Sequence, residues 1–326
     1  MRTQERPIRI IGTGVANPAT KLTHQELDQK LGITPGLSQR VTGITSRFVT
    51  TTETAADLAA EAARMAVANA ELRWKDIDCL IGTSATIDQA LPYNAATIHA
   101  ALGLTDERTT FDIGASCLSF LTGLDIASYL TTAGRFKNIL LVGSDISTFT
   151  VDMKNLRENG IFGDGAAACI IRKSDPNESS TILHSESTTL SEGVDFCQIR
   201  LGTRFHHRGI ETPGVFEMNP RPLFALTAKK LPAFVSNLLE KAGTSLEEID
   251  LIVPHQASHL ALDHAIKLLK IDPKKVVNIF AEHGNQVGAS LPTALHYGLK
   301  SARRGDKILL LGSGAGVTLG GMVIQY

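Results

Sequence analysis

Two kinds of hydrophobic pattern alternate along the chain. Short, fully apolar runs such as residues 139–142 predict strands of a sheet that is buried on both faces. Apolar positions at helical spacing over residues 58–66 follow a capping-box pattern, Thr54-x-x-Asp57, and predict a helix. Residues 224–242 predict a matching helix later in the chain. Strands that alternate with helices in this way are typical of the α/β class.

The same pattern occurs twice. A helix, a polar turn, an Ile-Asp pair and an apolar strand are found as ANAELRWKDIDCLIGTSAT at 68–86 and as EKAGTSLEEIDLIVPHQAS at 240–258. A second pair of strands follows, FKNILLVGS at 136–144 and GDKILLLGS at 305–313. The members of each pair lie about 170 residues apart, which indicates a duplicated α/β half. We therefore predict chemistry at strand ends where the two halves meet.

The length of 326 residues exceeds what one hydrophobic core usually organises. We predict an N-terminal half over residues 1–173 and a C-terminal half over residues 223–326. Residues 174–222 are rich in Ser, Thr, Gly, Pro and His, and we predict that this segment is a cap that lines the substrate site.

The composition narrows the range of partners. Lys and Arg number 32 against 33 for Asp and Glu, so no whole-protein field draws the chain to nucleic acid or to a membrane. The N-terminus lacks a signal-peptide pattern, and the longest apolar runs have the length of strands. We expect a cytoplasmic protein that binds a small molecule or a local docking partner.

The cysteines Cys79, Cys117, Cys169 and Cys197 are scattered, without a CxxC pair, so neither a disulfide framework nor a zinc site is indicated. Cys79 and Cys169 lie in apolar runs and are expected to be buried structural residues. Cys117 follows an apolar strand through small residues into a predicted helix. Its sulfur is then at a helix N-terminus, where unpaired N–H groups favour the thiolate. The local sequence fits a buried filler cysteine equally well.

His255 and Asn285 lie in the second half. His255 directly follows the second copy of the repeated strand, and Asn285 precedes a helix in the counterpart of the Cys117 loop. We predict that two equivalent helix N-termini face one cavity. Taken alone, a histidine is more often a core or surface residue, and an Asn in such a loop is usually part of a turn. The glycine loop at 312–316 lacks the spacing of a P-loop and could present an N–H to an oxyanion.

Together these segments resemble β-ketoacyl-ACP synthase III, of the thiolase superfamily, over essentially the whole chain. The motifs are DIGASC at 112–117, FGDGA at 162–166, VPHQA at 253–257, HGN at 283–285 with Ala289-Ser290, and GSGAG at 312–316. The resemblance implies a five-layered αβαβα thiolase fold in the α/β class, made of two duplicated halves and assembled as a homodimer. It also implies that Cys117, His255 and Asn285 form a catalytic triad.

The resemblance implies a decarboxylating Claisen condensation. An acyl group would move from acyl-CoA to Cys117, and a malonyl thioester, on an acyl carrier protein or on coenzyme A, would then condense with it. The N–H groups of Cys117 and Ala315 would hold the oxyanion, while Leu91, Phe162 and Phe224 would line the substrate site. By the same resemblance acyl-CoA would be a substrate, and no metal or other cofactor is implied. An acyl carrier protein is expected as a partner.

Some positions depart from the family pattern. Leu37 and Val41 stand where the family has an aromatic residue and an arginine that grip coenzyme A. Leu260 replaces a basic residue associated with carrier-protein docking. These changes keep open a second hypothesis, transfer of the acyl group from Cys117 to an alcohol, an amine or a carrier without condensation. Residues expected at the docking surface for coenzyme A or the carrier are Arg40, Arg204, Arg208, Ser258, Lys267 and Lys270.

Overall fold

The computed structural model describes residues 5–200 and 214–326. Its helices in chain order are α1 (His24–Leu31), α2 (Leu37–Thr42), α3 (Ala55–Asn69), α4 (Asn94–Ala101), α5 (Ser119–Thr132), α6 (Pro220–Lys241), α7 (His259–Leu269), α8 (Phe280–His283) and α9 (Ser290–Leu299). Its strands are β1 (Ile8–Ala16), β2 (Thr20–Thr23), β3 (Ser46–Val49), β4 (Cys79–Gly82), β5 (Thr109–Asp112), β6 (Asn138–Asp145), β7 (Gly165–Lys173), β8 (Thr181–Thr189), β9 (Cys197–Ile199), β10 (Phe216–Met218), β11 (Leu251–Pro254), β12 (Lys307–Gly314) and β13 (Thr318–Gln325).

Two sheets repeat one topology. In the first, the strand order is β1-β7-β6-β4-β5, with β4 parallel to its two neighbours and β7 antiparallel to its two. In the second, the order is β8-β13-β12-β11, and Val276 adds a parallel bridge to Ile252 beyond β11. Strand directions match position by position. The duplication predicted from the repeated segments is therefore confirmed.

Alternation along the strands builds five layers. In β6, Ile139 and Leu141 face a central core that also holds Leu291 of α9, whereas Leu140 and Val142 face a separate cluster with α3 and α4. In β12 the alternation is the same: one set of side chains joins the central core, and the other packs against α6. Because strand side chains point to opposite faces in turn, α5 and α9 lie between the sheets.

Local signals in the sequence correspond to observed elements. Thr54 and Asp57 form the predicted capping box at the start of α3. Cys79 and Cys169 are both fully buried, as expected for structural cysteines. No helix in the described ranges is long and apolar enough to span a membrane.

The segment predicted as a cap contains two different structures. Its first part forms β8, which pairs antiparallel with β13 and belongs to the second sheet, so a cap that begins at residue 174 is wrong. The polar composition of β8 misled the prediction because this strand is at the edge of the sheet and is partly exposed. Strands β9 and β10 pair only with each other within the described residues, and this two-stranded ribbon lines a cavity of about 1050 Å³.

Candidate active site

Two matched turns frame the site. The 3-10 turn Ser116–Leu118 leads into α5, and the 3-10 turn Val287–Ala289 leads into α9. Each turn begins with a residue of positive φ, 52° at Ser116 and 50° at Val287. In the first turn the Ala115 N–H donates to Ser119 Oγ over 2.8 Å. In the second, the Gln286 N–H donates to Ser290 Oγ over 2.8 Å. By this register Cys117 corresponds to Gly288.

Cys117 is partly exposed to a cavity at the start of its helix. Desolvation raises the pKa of its thiol to about 12, with a further increase from Cys197 and from Asp145. Backbone N–H groups of Ala315 and of Cys117 itself lower the pKa but do not outweigh desolvation. The resting group is therefore a thiol. The stabilisation of the thiolate at the helix N-terminus acts in the predicted direction but is the smaller effect, because a thiolate would lose its hydration in the buried site.

The last glycine loop lies against the Cys117 turn. A Cβ atom placed on Gly314 would be 3.7 Å from the Cys117 backbone nitrogen. The next residue, Ala315, directs its N–H toward the Cys117 sulfur, as its effect on the thiol pKa indicates. Two backbone donors thus converge where an acyl group on the sulfur would place its carbonyl oxygen. This arrangement is suited to an oxyanion.

His255 comes directly after β11 and is buried. Its backbone N–H continues the parallel ladder by donating to Leu311 O over 2.8 Å. Burial lowers the pKa of its imidazole to about 4, so the ring is neutral at neutral pH. Among the described residues, Nδ1 has no hydrogen-bond partner. A Cβ atom on Gly312 would approach His255 Cβ to 2.9 Å, so the glycine lets the ring sit against β12.

The orientation of the Asn285 amide is fixed by the turn that follows it. Its Oδ1 accepts from the Val287 N–H at 2.8 Å and from Ser290 Oγ at 3.4 Å. Its Nδ2 therefore faces the other way, toward Ala257 O at 3.3 Å. Ala257 follows His255 by two residues, so this contact joins the two loops that carry these groups. The amide donor is left at the cavity wall.

The cavity has a volume of about 1050 Å³. Eight of the residues expected at the site line it: Cys117, Phe162, Phe224, His255, Ser258, Lys267, Asn285 and Ala315. Ser258 also caps α7, because its Oγ accepts from the Ala261 N–H. The site therefore brings together the proposed triad and both oxyanion donors.

Other expected residues lie elsewhere. Leu91 is 85% exposed and does not line this cavity, so its predicted role at the acyl site is not found within one chain. Arg40 and Lys270 are exposed residues that do not line the cavity, although Val41 does. Arg204 and Arg208 lie outside the described residues.

Of the cavity residues that were not predicted, three carry reactive or charged groups of interest. Arg157 and Arg221 are exposed basic residues at the lining, and Cys197 adds a second thiol from the ribbon. Arg221 stands between two prolines at the start of α6, a helix-start signal that could have drawn attention to it. In the described residues no group of three or more His, Cys, Asp or Glu side chains is arranged to hold a metal ion.

Two fused α/β halves with one cavity between matched helix starts define the thiolase fold. The sequence profile described as 3-oxoacyl-[acyl-carrier-protein (ACP)] synthase III matches residues 111–191, and the profile of its C-terminal part matches residues 239–326. The chain belongs to this family, the β-ketoacyl-ACP synthases III.

Individual relatives agree along the whole chain. Beta-ketoacyl-[acyl-carrier-protein] synthase III of Neisseria gonorrhoeae (strain NCCP11945) is 33% identical over 321 residues, which cover 98% of this chain and 99% of the relative. The crystal structure of 3-oxoacyl-[acyl-carrier-protein] synthase III from Aquifex aeolicus VF5 has a TM-score of 0.89 at 30% identity, covering 98% of this chain and 100% of that one. An OleA structure from Xanthomonas campestris has a TM-score of 0.87 at 26% identity, covering 99% and 100%.

Proposed function

We propose that this protein catalyses the decarboxylating Claisen condensation of an acyl thioester with a malonyl thioester, through an acyl-Cys117 intermediate. This is the reaction of the synthase III family, an acyltransfer reaction of fatty acid biosynthesis. The observation that carries the proposal is the convergence of Cys117, His255 and Asn285 on one cavity, from three separate parts of the duplicated fold.

In the first half-reaction the Cys117 sulfur attacks the thioester carbonyl of acyl-CoA. The bond to the coenzyme A sulfur breaks, and the thiol proton of Cys117 leaves on that sulfur. The Cys117 and Ala315 N–H groups hold the negative oxygen of the tetrahedral intermediate. They stabilise charge that exists only during the transfer, so they accelerate it although the resting cysteine is a thiol.

In the second half-reaction the malonyl thioester loses carbon dioxide. The electron pair of the broken C–C bond becomes an enolate, whose oxygen accepts hydrogen bonds from His255 and from Asn285 Nδ2. A neutral imidazole donates such a bond without giving up its proton, which fits the pKa of about 4 at His255. The enolate carbon then attacks the acyl carbonyl, the bond from that carbonyl to the Cys117 sulfur breaks, and the thiolate released takes a proton from water. Transfer to an alcohol or amine would form no enolate and would leave both donors unused.

Intact mass measurement tests the proposal. The protein is incubated with acyl-CoAs of increasing chain length, and malonyl-CoA or a malonyl carrier protein is then added. We expect one acyl group on Cys117, followed by its loss with release of carbon dioxide and a β-ketoacyl thioester. An acyl-enzyme that discharges to alcohols or amines but never to a malonyl thioester would replace condensation by the acyltransfer alternative.

An acyl carrier protein is the proposed partner of the second half-reaction. Lys267 and Arg221, both exposed, line the cavity mouth and offer positive charge to a phosphopantetheine phosphate or to an acidic carrier surface. Arg40 lies next to the lining residue Val41. Changing Arg40 and Lys267 together to Glu should raise KM for the carrier substrate at low salt and leave kcat nearly unchanged. An unchanged KM would remove these two residues from the docking surface.

A homodimer is the proposed assembly. Strand β5 is the edge of the first sheet, and edge strands expose hydrogen-bonding groups that can pair with a second copy. The loop before α4 leaves large apolar side chains exposed, Ile87 at 62% and Leu91 at 85%, and Tyr93 at the end of this loop donates to Thr110 O of β5. For Leu91 to reach an acyl site, it would have to do so in the second copy. Sedimentation of wild type and Leu91→Glu tests the proposed assembly, since the variant should dissociate more readily.

A further inference from the structure

A buried arginine lies beneath the loop that carries Asn285. Arg47 on β3 is only 2% exposed, and its Nη1 donates to Gly160 O over 2.5 Å and to Phe162 O over 2.7 Å. Burial lowers the pKa of Arg47 to about 10, and nearby Asp164 acts to raise it, so the side chain is still a cation at neutral pH. A buried cation is costly unless its donors are satisfied. Two carbonyl acceptors on one nitrogen supply that compensation.

The segment held by Arg47 in turn holds Asn285. Between the two carbonyls that accept from Arg47 is Ile161, whose carbonyl accepts from the Asn285 N–H over 2.8 Å. The Gly163 N–H donates to Asn285 O over 3.1 Å. Phe162 and Asn285 are therefore partners in a parallel bridge. The position of the Asn285 backbone depends directly on where residues 160–163 lie.

Residues 160–164 pack closely against β3 on one side and against residues 283–285 on the other. The Asp164 N–H donates to Phe48 O on β3 over 2.9 Å, so β3 and residues 160–164 are joined by backbone as well as by Arg47. On the opposite side, a Cβ atom on Gly163 would be 2.2 Å from His283 O, a distance at which only glycine fits without movement. A displacement of residues 160–163 would therefore be transmitted to residues 283–285.

We propose that Arg47 is a positioning residue for Asn285 in the condensation step. It acts through the carbonyls of Gly160 and Phe162 and does not touch substrate, and the inference rests on the function proposed above. Without its donors two buried carbonyls lose their partners, and the segment that aligns Asn285 relaxes. A displaced catalytic group can cost about 10²-fold in rate. The Cys117 turn has its own hydrogen bond, from Ala115 N–H to Ser119 Oγ, so acyl transfer should be spared.

The test compares Arg47→Met and Arg47→Lys with Arg6→Met. Arg6 is a matched control because it is also 2% exposed and bonded to Asp125 and Ser185, outside the contacts that hold Asn285. We expect Arg47→Met to form acyl-Cys117 normally and to condense about 10- to 100-fold more slowly, with KM for acyl-CoA unchanged. Arg47→Lys should recover part of the rate, since its ammonium can also donate to two carbonyls. Arg6→Met should slow neither half-reaction selectively.

Hydrogen exchange supplies a readout that is independent of activity. The amides of Asn285 and Gly163 should exchange faster in Arg47→Met than in Arg6→Met. If wild type does not condense malonyl thioesters, the proposed function fails, and the exchange result alone decides whether Arg47 positions the loop. Equal slowing of both half-reactions, or unchanged protection at Asn285, would overturn the inference. Should Arg47→Met not fold, Arg47→Lys and Gly163→Ala are measured in the same way, and normal condensation in both would overturn it.

Discussion

The Cys117 turn (Ser116–Leu118) and the Gly288 turn (Val287–Ala289) have similar backbone conformations but carry different functional groups. Both begin with a residue of positive φ, and in both a serine three residues later accepts a backbone N–H. The first turn presents its sulfur at the second position of the 3-10 turn. The second has a glycine there and carries its polar group three residues earlier, at Asn285. In the same register, the counterpart of Asn285 is Gly114.

The residues that follow the equivalent strands β11 and β4 also differ in their functional groups. His255 follows β11, and its counterpart after β4 is Thr83, which is also buried. Each packs beside a glycine of the neighbouring strand, Gly312 or Gly143. The duplication therefore supplies two similar frames around one cavity, while the nucleophile belongs to the first frame and the enolate donors belong to the second. Substitutions in one frame should therefore affect one half-reaction more than the other.

The largest effect is expected at the nucleophile. Cys117→Ala should eliminate the acyl-enzyme, because among the thiols of the described residues Cys117 is the one that interacts with the backbone N–H groups of Cys117 and Ala315. Cys197→Ala is the matched control, since Cys197 is a second partly exposed thiol in the same cavity. The intact mass after incubation with acyl-CoA shows whether an acyl group has been attached to the protein. An acyl group on Cys197 in the Cys117→Ala variant would contradict the assignment.

A large but partial effect is expected from the second frame. Asn285→Ala and His255→Ala should each reduce steady-state condensation by about 10²- to 10³-fold, as is typical for the loss of one donor to a developing oxyanion. Acylation of Cys117 should fall much less. Product formation and acyl-enzyme mass are measured on the same samples. Condensation at the wild-type rate in either variant would remove that residue from the site.

Substitutions of Gly312 and Gly143 should have smaller effects on the condensation rate, and the two effects should differ. In Gly312→Ala the new methyl group would lie 2.9 Å from both His255 Cβ and Leu118 Cδ2, so the imidazole must move. We expect condensation to fall about 10- to 100-fold. In Gly143→Ala the closest contact is 3.2 Å, to Thr83 Oγ1, and no enolate donor is displaced. Steady-state rates of the two variants should therefore differ, and equal rates would argue against a role for the position of His255.

The smallest effect concerns stability and pH. Burial lowers the pKa of His255 and of His283 from 6.5 to about 4, so between those pH values the unfolded chain binds protons that the folded chain does not. Stability should then fall as pH falls from about 6.5 to 4. Asp145, whose pKa burial raises to about 6, acts in the opposite direction over its own range.

Urea midpoints at pH 7 and pH 5 measure this dependence. His255→Gln removes one of the imidazoles whose pKa is lowered by burial, so its midpoint should shift less between the two pH values than that of wild type. Thr83→Val, at the counterpart position, is the control and should keep the wild-type dependence. An identical shift in His255→Gln and wild type would contradict a buried, neutral His255.

Much of the fold could be predicted because it depends on local sequence patterns. The repeated Ile-Asp strand and the ILLVGS and ILLLGS strands identified the duplication, and the motif positions identified the cavity residues. Edge strand β8 was assigned to the cap because polar residues on an exposed edge resemble a loop. The extent of desolvation at Cys117 could not be predicted, since it depends on packing from distant segments. Arg47 gave no signal, because a single arginine in a polar stretch predicts an exposed side chain.

Carbon dioxide release from a malonyl thioester by Cys117→Ala tests the division between the two frames most directly. This variant cannot form an acyl-enzyme, so any decarboxylation must come from the frame that holds His255 and Asn285. We predict that Cys117→Ala releases carbon dioxide and that adding Asn285→Ala reduces the release by about 10²- to 10³-fold. Release that is absent in Cys117→Ala, or that is unchanged when Asn285 is also replaced, would contradict the account.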